Sequence, residues 1–133
     1  MVEHIGQLSA LNGPLHSRQL ALYYADHDLK PAQALALARE EYAARSDIYG
    51  ADALAWTALK AGKIEVAQAA MQDALKLGTQ DAKLFYHAGM IARQANDRAL
   101  ARRYLTMALR LNSAFDALQA QQARQALRSL DES

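Results

Sequence analysis

Residues 48–81 read IYGADALAWTALKAGKIEVAQAAMQDALKLGTQD, and residues 82–115 read AKLFYHAGMIARQANDRALARRYLTMALRLNSAF. Laid over one another at an offset of 34, they pair Ala58 with Ala92, Ala61 with Ala95, Ala67 with Ala101 and Ala74 with Ala108. Leu75 then meets Leu109 and Leu77 meets Leu111, with near matches at Val66/Leu100, Met71/Leu105, Lys76/Arg110 and Thr79/Ser113. In each unit apolar residues return at helical spacing in two stretches separated by a short turn, which predicts a pair of helices per unit. A weaker copy occupies 15–47, where Ala34 takes the place of Ala67. It is one residue shorter and departs at its turn, Asp28-Leu29-Lys30-Pro31.

Composition agrees with an all-α chain. Of 133 residues, 30 are Ala and 20 are Leu, against 6 Val plus Ile; Ala and Leu enter helices at little cost, and the β-branched sheet formers are scarce. Punctuation then sets the boundaries. Gly13-Pro14 closes an opening apolar segment, and Pro31 suits a first helical position, where its missing N–H costs nothing. Gly62 and Gly78 are expected just past helix ends in the left-handed conformation, with Asn96 and Asn112 in the same two places one unit later. Asp47, Asp81, Asp97 and Ser113 are candidate N-caps. The prediction is eight helices, at about 2–12, 15–28, 31–45, 48–61, 64–77, 82–95, 98–111 and 114–130, in one domain spanning 1–133.

A 34-residue period of helix pairs resembles the tetratricopeptide repeat (TPR) family. In that family the fourth position of a repeat is aromatic, positions eight, twenty and twenty-seven are small, and position twenty-four is bulky and apolar. The repeat beginning at Ala82 supplies Phe85, Gly89, Ala101, Leu105 and Ala108; the one beginning at Ile48 supplies Ala51, Ala55, Ala67, Met71 and Ala74. The aromatic is thus missing from the 48–81 repeat, and the usual tyrosine at position eleven is Ala58 and Ala92. The resemblance covers 15–115 and implies a TPR-like α–α superhelix, a right-handed solenoid of antiparallel helix pairs. It also implies that 114–130, polar on one face, is its capping helix. Ala101 is expected at the closest approach of its helix pair, opposite Gly89. The flavour is that of the C-terminal repeats of larger bacterial TPR proteins. Segment 2–12, with Val2, Ile5, Leu8 and Leu11 on one face, reads as the orphaned second helix of a preceding repeat, or else as a natural cap. An uncovered face there would favour a homodimer through this helix.

The family's inner-face positions, carried onto this sequence, are His16, Gln19, Tyr23, Asp26 and His27 in the first repeat. In the second they are Tyr49, Asp52, Trp56, Leu59 and Lys60, and in the third Lys83, Tyr86, Met90, Arg93 and Gln94. Tyr49, Asp52, Trp56, Lys83, Tyr86, Met90 and Arg93 form the expected peptide-binding groove, with aromatic anchors, one carboxylate and two cations. Trp56 is equally readable as a residue packed between helices. The carboxylate clamp of chaperone-binding members is not matched, since positions nine are Tyr23 and Trp56 rather than Asn, and only Lys83 fits.

Other chemistry is poorly supported. With 15 Lys+Arg against 14 Asp+Glu the net charge is +1, which gives no field for nucleic acid or an anionic membrane. The run Arg98, Arg102, Arg103 and Arg110 reads as a solvated face. No apolar run approaches the roughly 20 residues of a membrane helix. Zero cysteines exclude disulfides and thiolate chemistry. Asp26, His27 and Asp28 are neighbours that point apart on a helix, so no metal site is expected. His87 beside Tyr86 lacks a nucleophile and an orienting third group, so no catalytic residues and no cofactor are expected. The reading is a non-enzymatic module that presents a concave groove to a protein or peptide partner, in the cytoplasm or the periplasm. The alternatives are an end-cap or oligomerisation segment of a longer array, or the regulatory domain of an enzyme whose catalytic part lies upstream.

Overall fold

The computed structural model describes residues 14–132, with side chains from 17 to 131. The expected helix 2–12, and with it the proposed dimer surface, lies outside the described residues. Among the described residues there are seven helices and no strand. They are α1 (Pro14–Asp26), α2 (Pro31–Ala44), α3 (Ile48–Lys60), α4 (Ile64–Leu75), α5 (Ala82–Gln94), α6 (Arg98–Leu111) and α7 (Ala117–Glu132). The all-α expectation holds. None of these helices is long and apolar enough to cross a membrane.

The period is sharper than the sequence match suggests. Helices α1, α3 and α5 end at 26, 60 and 94, a spacing of 34 both times. Each ends in the same turn, with its next residue but one left-handed: Asp28 (φ 55°), Gly62 (φ 77°) and Asn96 (φ 64°). In each turn an N–H reaches back five residues, from Leu29 to Tyr24 O, from Lys63 to Ala58 O and from Asp97 to Ala92 O, at 2.8, 2.8 and 2.9 Å. This is the Schellman arrangement that satisfies carbonyls at a helix end. By the register of these turns the first repeat counts from 14 rather than 15. It departs from the next repeat in an extra turn residue, where Lys30 is also left-handed (φ 44°) ahead of Pro31, and in a shorter connection from α2 to α3, residues 45–47, against 76–81 from α4 to α5.

Helix starts follow the expected capping in three cases. The carboxylates of Asp47, Asp81 and Asp97 accept from the N–H of Gly50, Leu84 and Leu100 at 2.7, 3.0 and 3.2 Å. The last helix differs. Asp116, not Ser113, is its cap, accepting from Gln119 N–H at 3.0 Å, and α7 accordingly begins at Ala117. Asn112 is extended (φ −159°) rather than left-handed, and its side chain accepts from Ala114 N–H instead.

The helices gather into two compact units, one ending at Leu77 and one beginning at Gly78, where the sequence suggests one domain. In the first unit α1 packs on α2 and α3, α2 on α3, and α3 on α4. In the second α5 packs on α6, and α7 on both. Small residues line these contacts: Ala21, Ala34, Ala55, Ala67 and Ala74 in the first unit, and Ala101, Ala108, Ala120 and Ala123 in the second, are fully buried. Their lack of bulk lets backbones approach. At the tightest point a Cβ on Gly89 would stand 2.6 Å from Leu105 Cγ and 3.1 Å from Leu105 N. Gly89 therefore faces Leu105, one turn beyond the Ala101 expected there.

Candidate functional site

The seven expected groove residues fall in both units and are taken unit by unit. Trp56, on α3, is 2% exposed. Its Nε1–H donates to Asp26 Oδ1 at 3.0 Å, and the Lys60 ammonium lies 4.9 Å from its ring centroid. Lys60 also bonds Asp28 at 2.9 Å. Trp56 is thus a packed residue, and the structure corrects its reading as an accessible anchor. The indole hides its apolar body and satisfies its single polar atom on α1. The Asp26-His27-Asp28 run divides accordingly, with Asp26 turned to Trp56 and Asp28 to Lys60. Among the described residues no group of three metal-ligating side chains comes together. Asp52 is buried as well. Tyr49 alone of the three is exposed, at 47%.

The shifted start of the first repeat also changes its set. Counted from Pro14, the inner positions become Leu15, Arg18, Leu22, Ala25 and Asp26, not His16, Gln19, Tyr23, Asp26 and His27. Tyr23 and His27 instead lie on an exposed face, their rings 4.6 Å apart.

In the second unit Tyr86 is 1% exposed; its hydroxyl donates to Gln122 Oε1 at 2.8 Å and its ring lies 5.7 Å from Phe115. It joins α5 to the α6–α7 connection and to α7, so it too is a core residue rather than an anchor. His87 is buried beside it. Met90 is half-buried, while Lys83 and Arg93 are exposed. The basic run has a structural task. Arg98 and Arg102 donate to Leu130 O at 2.7 and 3.3 Å, and Arg102 pairs with Asp131 at 3.1 Å. Cations are thus brought to the negative end of α7, whose last carbonyls lack helical partners.

What the exposed Tyr49 does belong to is a pocket of about 380 Å³ wholly within the first unit. Its lining includes Tyr42 from α2, Ile48 and Tyr49 from the start of α3, Asp73 from the last turn of α4, and Lys76 and Leu77 just after it. Ser46 and Asp47 complete the lining, and Ser46 is tied to Tyr42 O at 2.8 Å. Leu77, 73% exposed, and Tyr49 present apolar surface to the opening. The Tyr42 hydroxyl donates to Asp73 Oδ2 at 3.3 Å, which is the only side-chain bond of Asp73 among the described residues. Loss of hydration, followed by the negative charges of Asp73 and Asp47, raises the Tyr42 phenol above its ordinary range.

Asp47 also belongs to a charge cluster that sequence reading missed. Arg18 Nη2 donates to Glu41 Oε1, which is fully buried, and to Asp47 Oδ1 at 3.0 Å. Loss of hydration works against the guanidinium charge, but Glu41 and Asp47 hold it protonated more firmly than usual. Asp47 loses hydration as well, yet the Gly50 N–H and Arg18 keep its carboxyl below the usual range. Glu41 stands 33 residues before Ala74 and 67 before Ala108, so a carboxylate fills a slot that is alanine in the other repeats. Gly50 makes the room: a Cβ there would stand 3.1 Å from Glu41 Oε2 and 3.2 Å from Arg18 Nη2. A charge in a small-residue slot, with a glycine where the other first helices carry His16 and Leu84, was the available signal.

No family model, curated protein or solved structure matches the chain. The pocket lining brings together two aromatic rings, an exposed leucine, and a carboxylate bonded, among the described residues, only by the Tyr42 hydroxyl.

Proposed function

We propose that the chain is a TPR-like repeat protein, a right-handed superhelix of antiparallel helix pairs capped by α7, whose work is non-enzymatic binding of a protein or peptide partner. The regular 34-residue spacing of α1, α3 and α5, and their common left-handed turn residue, support the repeat reading. The binding reading rests on one observation, the exposure of Tyr49 and Leu77 around a preformed pocket. Tyr49 is anchored in the first turn of α3 and Leu77 follows directly on α4, so their backbones lose little freedom when a partner covers them. Aromatic residues placed in this way are the usual anchors of such contacts. With Trp56 and Tyr86 buried, the contact surface moves from the middle of the first helices to the end of α4 and the start of α3. Lys83 and Arg93 remain as exposed cations in the second unit.

The test is photochemical. A photoreactive benzoylphenylalanine in place of Tyr49 should join the full chain to a discrete partner in its native extract, and Leu77→Asp should abolish that product. The same group in place of Arg128, an exposed position on α7, is the control. Indistinguishable labelling patterns from the two positions would reject the pocket as the binding surface.

A further inference from the structure

We infer that the Tyr42–Tyr49–Leu77 pocket takes an arginine side chain from an apolar partner segment. This inference rests on the pocket being the binding surface, and it names the chemistry of the occupant. Three features converge on that residue type. First, the walls are aromatic and aliphatic, which suits a side chain with an apolar stem. Tyr42 and Tyr49 bring two aromatic rings to the lining, and a planar guanidinium can stack on a ring face where ammonium cannot. Second, the one uncommitted anionic group at the opening is Asp73. It accepts a single long bond from Tyr42 and forms no ion pair among the described residues. A carboxylate can accept two parallel N–H bonds from a guanidinium fork, a geometry that rewards arginine over lysine. Third, the other carboxylate of the lining, Asp47, is already held by Arg18 and the Gly50 N–H, so it does not compete with Asp73 for the ligand. The Tyr42 phenol on the same wall is pushed upward first by loss of hydration and then by the charges of Asp73 and Asp47.

Lys76 is the cation on the same wall. It lies three residues after Asp73, yet the two do not close into an ion pair, so the carboxylate stays open to a visitor. Lys76 and an incoming guanidinium repel one another. Removing Lys76 should therefore strengthen binding while removing the Asp73 charge weakens it, an opposition that nonspecific apolar adhesion does not produce.

The experiment uses the full ¹⁵N-labelled chain at low salt and three capped tripeptides: acetyl-Leu-Arg-Leu-amide, its citrulline analogue and its glutamate analogue. Amide shifts at Tyr49, Asp73 and Leu77 report occupancy. The arginine peptide is expected to bind about tenfold more tightly than the neutral citrulline peptide, which has nearly the same shape, and the glutamate peptide least. Asp73→Asn should remove the arginine preference, Lys76→Ala should strengthen arginine binding by about threefold, and added salt should weaken it. Asp73 and Lys76 are exposed, so both variants keep the fold, and their melting curves check this. Equal binding of arginine and citrulline peptides at these amides overturns the arginine inference but leaves the pocket as a binding surface. No shift with any peptide, together with failed photochemical labelling at Tyr49, overturns both.

Discussion

Trp56 and Asp47 show how far a single residue's role is set by what surrounds it. Spacing alone puts Tyr49, Asp52 and Trp56 on one face of α3, but says nothing of what covers that face. With 2% exposure, Trp56 is held by packing and by its bond to Asp26. Trp56→Ala should therefore cost about 3–5 kcal/mol in urea unfolding, the range for emptying a large core site. An unchanged midpoint would return Trp56 to the surface. Asp47 is a different case, an exposed carboxylate whose folded pKa lies below its usual range. The sign follows from linkage: a depressed carboxyl binds fewer protons in the folded state, so it contributes stability at neutral pH. That contribution fades as pH falls below the unfolded value of about 3.9 toward the lower folded value. Melting curves of wild type and Asp47→Asn should accordingly differ at pH 7 and converge as pH drops below about 4.

Between elements, the fit of helix pairs is decided by complementary size. Gly89 faces Leu105, and the corresponding residues are Ala55 with Met71 and Ala21 with Ala38, all of them buried. Gly89→Ala gains about 1 kcal/mol of helix propensity, yet its Cβ would meet both a branch point and the backbone of Leu105. The net result should be a loss of about 1–3 kcal/mol, and Ala101→Leu should lose a similar amount by overpacking the same helix pair. Chemical denaturation measures both. Combining Gly89→Ala with Leu105→Ala should cost less than the sum of the two, because each removes the other's clash or void. The end of α7 depends on α6 in the same direct way. Arg98→Ala should speed hydrogen exchange in the last turn of α7 and lower stability by about 0.5–1.5 kcal/mol, since the Leu130 carbonyl loses its shortest donor. Unchanged exchange near Leu130 would mean that water replaces the guanidinium without loss.

For the molecule as a whole, stability and binding should separate by exposure. The pair Tyr49→Ala and Leu77→Ala touches two of the most exposed large apolar residues, and each change should alter stability by no more than about 0.5 kcal/mol. The melting temperature should hold while photochemical labelling at the pocket, read from a neighbouring position such as Ser46, is lost. A collapse in stability would instead make these residues part of the core. What the amino-acid order determined by itself is local. Helix type follows from Ala and Leu, the starts follow from Asp47, Asp81 and Asp97, and the 34-residue period is set by turn residues whose bonds reach no further than five residues. Asn112 and Ser113 misled because Asn112 leaves its helix extended and the next cap falls three residues later, at Asp116. The tertiary structure alone decided which faces are covered. Trp56 meets Asp26 across 30 residues, Tyr86 meets Gln122 across 36, and Arg18 meets Glu41 across 23. Periodicity groups residues on a face of one helix, whereas burial, pairing and the Tyr42–Tyr49–Leu77 pocket depend on side chains from other helices arriving at that face.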